Sequence, residues 1–221
     1  MVNVEKYKEI SGQLKKQGVT LVAVSKLKTV EDIKKLYDLG QRDFGENYVQ
    51  ELMDKQAALP ADIRWHFIGH LQSNKVKYIA SFIHLIQSVD SEKLLQEINK
   101  QAEKHQRKIN CLLQVHIADE ETKFGFDEDE LNHLTGQPFN YITISGLMGM
   151  ATFTDNKEKI RSEFLHLRSI YERIKSADAP AFNLQASTFS FLSMGMSDDY
   201  ETAIECGSNM VRVGSLIFGR R

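Results

Sequence analysis

Apolar positions recur at helical spacing from the start of the chain. Val4, Tyr7, Ile10 and Leu14 share one face, and Gly18 ends the pattern. A short apolar run over 20–24 follows and closes on Ser25-Lys26. Thr29 is placed to cap a second helix, with Asp32 three residues on in the capping-box position. Val30, Ile33, Leu36 and Tyr37 give that helix its apolar face, and Gly40 stops it. The alternation then repeats. Short runs around Asp43-Phe44 and over 65–68, 84–89, 109–117, 141–147, 182–186 and 210–213 read as strands. Helices are predicted over about 48–58, 73–80, 91–104, 127–134 and 197–206. The clearest helix carries Ile160, Phe164, Leu167, Ile170, Tyr171 and Ile174 on one face.

Strands alternating with helices imply parallel βαβ units, and eight of them imply closure. The expected fold is α/β: a single (β/α)8 TIM-type barrel with an extra N-terminal helix. A doubly wound open sheet shares these local signatures and is the competing architecture. No linker or low-complexity tract divides the chain, so one domain over 1–221 is expected. With 221 residues, 42% of them hydrophobic, the chain can fill one barrel core. Charged residues make up 26% and the formal net charge is -2, which argues against a nucleic-acid footprint. No apolar run approaches 18 residues, so no membrane span is expected. The N-terminus is polar and lacks a secretory apolar stretch. Cys111 and Cys206 form no metal or redox spacing and read as structural. A cytoplasmic protein is expected, and a monomer, because no long amphipathic seam is left over.

Active sites of βα barrels lie at the C-terminal ends of the strands. In this chain those ends carry Lys26, Glu46-Asn47, Gly69-His70, Asp90, Lys123, Met148, the segment 187–197 and Gly214-Ser215. A lysine at the rim of an apolar mouth loses hydration, and a neutral amine attacks aldehydes. The alternative for Lys26 is a surface lysine lying along the barrel, as expected for Lys28. Gly214-Ser215 can open a helical turn that faces a phosphate, and Ser193-Met194-Gly195-Met196-Ser197 precedes it on the neighbouring loop. Loops seven and eight are the usual phosphate site of such barrels. Ser197 can also cap the helix beginning at Asp198. Arg212 alternates with Val211 and Val213 and is expected to point into the barrel. Its partner is then either a carboxylate such as Glu46 or a bound ligand. His66 and His70 are four apart across a strand end and make no HExxH metal site. The methionines Met148, Met150, Met194 and Met196 read as packing. Asp119-Glu120-Glu121 reads as a solvated loop.

Several blocks carry a resemblance. Val24-Ser25-Lys26, the run FGENYVQE over 44–51, WHFIGHLQSNK over 65–75, SGLM over 145–148, LSMGMSDD over 192–199 and RVGSLIFG over 212–219 closely resemble the YggS-type pyridoxal 5′-phosphate (PLP) homeostasis proteins. The blocks come in the family's order and span nearly the whole chain. The resemblance implies a fold-type III PLP barrel, like the N-terminal domain of alanine racemase without its second domain. It implies that Lys26 is the Schiff-base lysine and that Asn47 and His70 line the pocket. It also implies that Ser193, Gly195, Gly214 and Ser215 form the phosphate-binding region, with Arg212 near the pyridine nitrogen. Lys123 matches a rim lysine that holds or passes on PLP. Ser215 stands where threonine is common, which preserves a hydroxyl.

What the resemblance implies is PLP homeostasis without robust turnover and with no catalytic residue assigned. An arginine facing the pyridine nitrogen leaves the ring a poor electron sink. The alternative is a PLP-dependent amino-acid racemase. That reaction needs acid/base groups on both faces of the cofactor, and only Lys26 is at hand. A third reading is a PLP donor to apo PLP-dependent enzymes, with the rim as contact surface.

Overall fold

A computed structural model describes residues 2–118, 124–134, 139–176 and 188–219. Its strands close into a parallel barrel in chain order, β1-β2-β3-β4-β5-β6-β7-β8. The strands are β1 (Thr20–Val24), β2 (Asp43–Glu46), β3 (Arg64–Phe67), β4 (Leu85–Val89), β5 (Ile109–Gln114), β6 (Ile142–Met148), β7 (Phe191–Ser193) and β8 (Met210–Val213). The expected barrel is therefore present, and the open doubly wound sheet is not. The helix before the first strand, α1 (Val4–Lys16), is the expected extra one. Asn3 caps it, and Tyr7, Ile10 and Leu14 are buried. The other helices are α2 (Val30–Asp38), α3 (Val49–Ala58), α4 (Val76–Ile79), α5 (Glu92–Lys104), α6 (Glu128–His133), α7 (Lys157–Ser176), α8 (Tyr200–Glu205) and α9 (Ser215–Phe218).

The core has two layers, as strand alternation demands. Outward residues such as Ala23, Phe44, Phe67, Ile86 and Leu113 pack under the helices. Inward residues Val22, Leu85, Leu112, Met148 and Met210 fill the barrel. Gly146 on β6 has φ +152, and a Cβ there would lie 1.8 Å from the Phe191 carbonyl oxygen. Only glycine lets β6 and β7 pair at that approach.

Two sequence expectations need correction. The seventh strand is Phe191–Ser193, not 182–186, which lies outside the described residues. Phe182, Leu184 and Ala186 alternate like a half-buried strand, whereas the real strand is three residues long beside serines. The helix expected from Ser197 starts at Tyr200, with Asp199 at its N-cap position. Ser197 Oγ accepts instead from the Gly214 amide at 3.2 Å, tying loop seven to loop eight.

Candidate functional site

Lys26 follows β1 at the C-terminal mouth and is half-buried. Its neighbours on both sides are anchored. Ser25 Oγ donates to Glu46 Oε1 at 2.6 Å. The Ser25 carbonyl accepts from Lys55 Nζ at 2.7 Å. The Leu27 amide donates to Glu51 Oε1 at 2.5 Å, and Leu27 sits at φ 59, a left-handed conformation that leucine adopts at a cost. Lys55 closes the clamp by donating to Glu46 Oε1 and Glu51 Oε1, each at 2.7 Å. Burial pushes the Glu46 carboxyl up, against the attraction of Lys55. Lys26 itself makes no hydrogen bond or ion pair among the described residues.

This clamp was not legible beforehand. Lys55 and Glu51 stand four apart on α3, which reads as a solvated helical pair. Lys28 is also not the free surface lysine expected. Its Nζ donates to the Phe218 and Gly219 carbonyls at 3.1 and 3.4 Å, at the C-terminal end of α9.

Arg212, next to last in β8, lies inside the barrel and is 4% exposed. The carboxylate expected as one of its partners is not Glu46, which the Lys55 clamp engages. Arg212 Nη1 donates to Ser193 Oγ at 2.6 Å and Nη2 to the Gly149 carbonyl at 2.9 Å. Burial lowers its pKa to about 10, partly offset by the charge of Asp199. A guanidinium has five N–H donors, so this buried cation keeps donors to spare.

Ser193 is thus not on an open loop. It is fully buried, and its hydroxyl donates to Gln87 Oε1 at 2.7 Å. Gly195 follows at φ 95, where a Cβ would lie 2.6 Å from that of Ala203. Gly214 and Ser215 open α9, whose first amides have no intrahelical acceptor.

On the other side of the mouth, Asn47 and His70 line a cavity of about 480 Å³ with Tyr48, Phe67, Lys75 and Tyr78 among its walls. A Cβ on Gly69 would meet the Asn47 carbonyl oxygen at 2.4 Å, so glycine there lets loops two and three close up. Asn47 Oδ1 is buried and meets no donor among the described residues. His70 Nδ1 lies 2.9 Å from Asp90 Oδ2, and its ring stacks on Phe124 at 4.1 Å. Phe124 is set there by Gln114, whose Nε2 donates to its carbonyl. Lys123, the rim lysine, lies outside the described residues.

At the opposite mouth, Asp43, His66 and His84 bring potential ligand atoms within 4.8 Å of one another. Both Asp43 oxygens are already held by Arg64, at 2.7 and 2.5 Å, and His66 Nε2 stands 3.0 Å from Oδ1. The cluster reads as an ion pair with its cation in place.

A closed parallel barrel with a strand-end lysine, a buried arginine and glycine-turned loops at one mouth defines the class of the alanine racemase N-terminal domain. That family, described as "Alanine racemase, N-terminal domain", matches residues 3–221. Within the class the chain belongs to the pyridoxal phosphate homeostasis protein family. It is 40% identical over 211 residues to the pyridoxal phosphate homeostasis protein of Pasteurella multocida, covering 92% of this chain and 87% of the relative. The Schizosaccharomyces pombe protein of that name is 40% identical over 210 residues, covering 93% and 85%. The structure of PipY from Synechococcus elongatus with PLP bound superposes with a TM-score of 0.84 at 33% identity, covering 97% of this chain and 99% of that one. Alanine racemase from Clostridium difficile shares the fold, with a TM-score of 0.76 at 15% identity over 61% of its length.

Proposed function

We propose that this protein binds PLP at the C-terminal mouth of its barrel, as a Schiff base on Lys26, and acts in PLP homeostasis in the cytoplasm. The observation that carries the reading is the Lys26 amine. Among the described residues it has no partner, while the residues on both sides of it are clamped. When bound, the cofactor supplies an aldehyde with which an amine condenses. The residues present fit it. Arg212 keeps spare donors for the ring, Asn47 Oδ1 lacks a donor, His70 lines the cavity beside it, and Ser215 with the first amides of α9 suits a phosphate. Gly195 lets its loop pack on Tyr200 and Ala203, and Gly214 lets its own approach Val24 of β1. Ser193 contributes through Arg212. PLP-bound PipY supports the reading from a relative. We take the chain as one PLP-binding domain, since the barrel closes from β1 to β8, and as a monomer, since its helices turn their apolar faces inward. Two free thiols, both buried, suit a reducing compartment. Among the described residues no helix is long and apolar enough to cross a membrane.

Visible absorbance before and after borohydride, followed by peptide mapping, tests the site. A colour that borohydride fixes on the Lys26 peptide is expected, and Lys26→Ala should abolish it. A label on another lysine overturns the assignment. Incubation with L-alanine separates binding from a racemase reaction, because efficient appearance of D-alanine would favour the enzyme.

A specific observation favours apo-enzymes as acceptors. Leu27, Tyr48, Phe124, Phe153 and Met196, all large and exposed, lie on loops at the same mouth. An apolar rim around a cofactor site suits transient docking. Transfer of PLP to an apo-enzyme faster than its free dissociation is the expected result, and transfer limited by dissociation would sink the donor role.

A further inference from the structure

A polar chain runs through the apolar interior of the barrel, from one mouth to the other. It starts at Arg212, whose Nη1 donates to Ser193 Oγ at 2.6 Å. With one lone pair occupied, the Ser193 hydroxyl donates onward to Gln87 Oε1 at 2.7 Å. Gln87 therefore turns its amide nitrogen to His66 Nδ1 at 2.9 Å, with Met210 Sδ at 3.3 Å on the same side. His66 Nδ1 must then carry a lone pair, so its proton sits on Nε2 and is donated to Asp43 Oδ1 at 3.0 Å. Asp43 is anchored as an anion by Arg64. Ser193, Gln87 and His66 are all buried. A cavity of about 170 Å³, bordered by Thr20, His84 and Asn110, opens at the Asp43 end.

The order of donors is forced. If Gln87 reversed its amide, its NH₂ would face Ser193, whose hydroxyl would lose its acceptor, and its oxygen would call for a proton on His66 Nδ1, which the neutral ring already donates to the Asp43 anion from Nε2. Buried polar groups tolerate such mismatches poorly. The negative end of every dipole therefore points back toward Arg212. That arrangement matters because no carboxylate among the described residues hydrogen-bonds Arg212.

We propose that Asp43, His66, Gln87 and Ser193 form an oriented hydrogen-bonded chain that fixes Arg212 as a charged donor toward the cofactor ring, with Gln87 the positioning residue that sets its direction. The inference rests on the PLP reading above for its consequence but not for its geometry. Ser193 and Arg212 face the site; Gln87 and His66 act through them. Gln87 stands at the middle of β4, two residues before its C-terminal end.

The test has an arm for each. In protein labelled with ¹⁵N-histidine and free of PLP, the His66 ring should give the signals of the neutral Nε2–H tautomer. An Nδ1–H tautomer would overturn the chain's direction, whether or not PLP binds. In the PLP-loaded protein, Gln87→Met removes both amide groups with little change of volume. It should shift the visible band and weaken PLP binding about tenfold, the loss expected when a charged group loses one oriented partner. Ser193→Ala should shift the band in the same way, and Leu112→Met, a swap in the same interior without polar atoms, should not. An unchanged band and affinity in folded Gln87→Met and Ser193→Ala would overturn the proposal. Failure of the parent protein to take up PLP would instead overturn the reading of the site, leaving the histidine result standing.

Discussion

Lys55 shows how much a single side chain can hold in this site. Its side chain is 6% exposed and its ammonium serves three acceptors, two of them carboxylates. Removing one partner of a buried ion pair leaves the others uncompensated, which costs about 3–5 kcal/mol. Lys55→Met should therefore lower the unfolding free energy from denaturant titration by that order, and Glu46→Gln on the same background should recover part of it. The double variant separates charge repulsion from lost packing, because only the former is relieved. Lys26 and Arg212 were legible in the sequence because a strand-end lysine and a strand arginine among valines are conspicuous. Lys55 and Gln87 were not. A lysine four residues from a glutamate looks like surface chemistry, and its burial follows from how α3 leans on β1 and β2. Gln87 did leave a signal, a lone amide between Ile86 and Ser88 in a short strand, but its meaning depends on partners from β3 and β7.

The elements were legible to different degrees, and for physical reasons. Thr29 caps α2 as its position implies, accepting from the Asp32 amide at 3.2 Å. Asp127 and Glu130 form a full capping box at α6. Long helices such as α7 announce themselves because seven buried residues recur over 20 positions. Short strands do not. β7 spans three residues and carries Ser193 inward, where an apolar side chain would normally mark a strand. The serine is there for Arg212 and Gln87, so the site itself disguised the element. Ser197 was misread for a similar reason. Its hydroxyl is a good helix cap in principle, but the Gly214 amide on the next loop claims it. Both errors fall at the mouth, where loop residues answer to one another across strands rather than to their own helices.

At the scale of the whole molecule, the barrel's two mouths differ in kind. Among the described residues the C-terminal mouth leaves groups unsatisfied, namely the Lys26 amine, Asn47 Oδ1 and spare Arg212 donors. The N-terminal mouth satisfies its charges internally, and this makes its contribution to stability depend on pH. Burial alone would raise the Asp43 carboxyl, but the hydrogen bonds and charges of Arg64 and His66 outweigh it and hold Asp43 well below the usual carboxylate range. A depressed folded value means that the anion binds its partners more tightly in the folded state than in the unfolded chain. The stabilisation is complete above the unfolded aspartate value of about 3.9 and disappears as pH falls toward the lower folded value. Arg64 is half exposed, with 47% of its side chain in contact with solvent, so water competes for it and the pair is worth less than a fully buried one. Asp43→Asn should cost about 1–3 kcal/mol at neutral pH, the scale of hydrogen bonds to a charged group. The difference from the parent should shrink below about pH 4, where the unfolded aspartate takes up a proton that the folded one still refuses. Urea midpoints measured from pH 3 to 7 check this directly. A difference that stays constant to pH 3 would mean that shape, not charge, ties β2 to β3 at this end of the barrel.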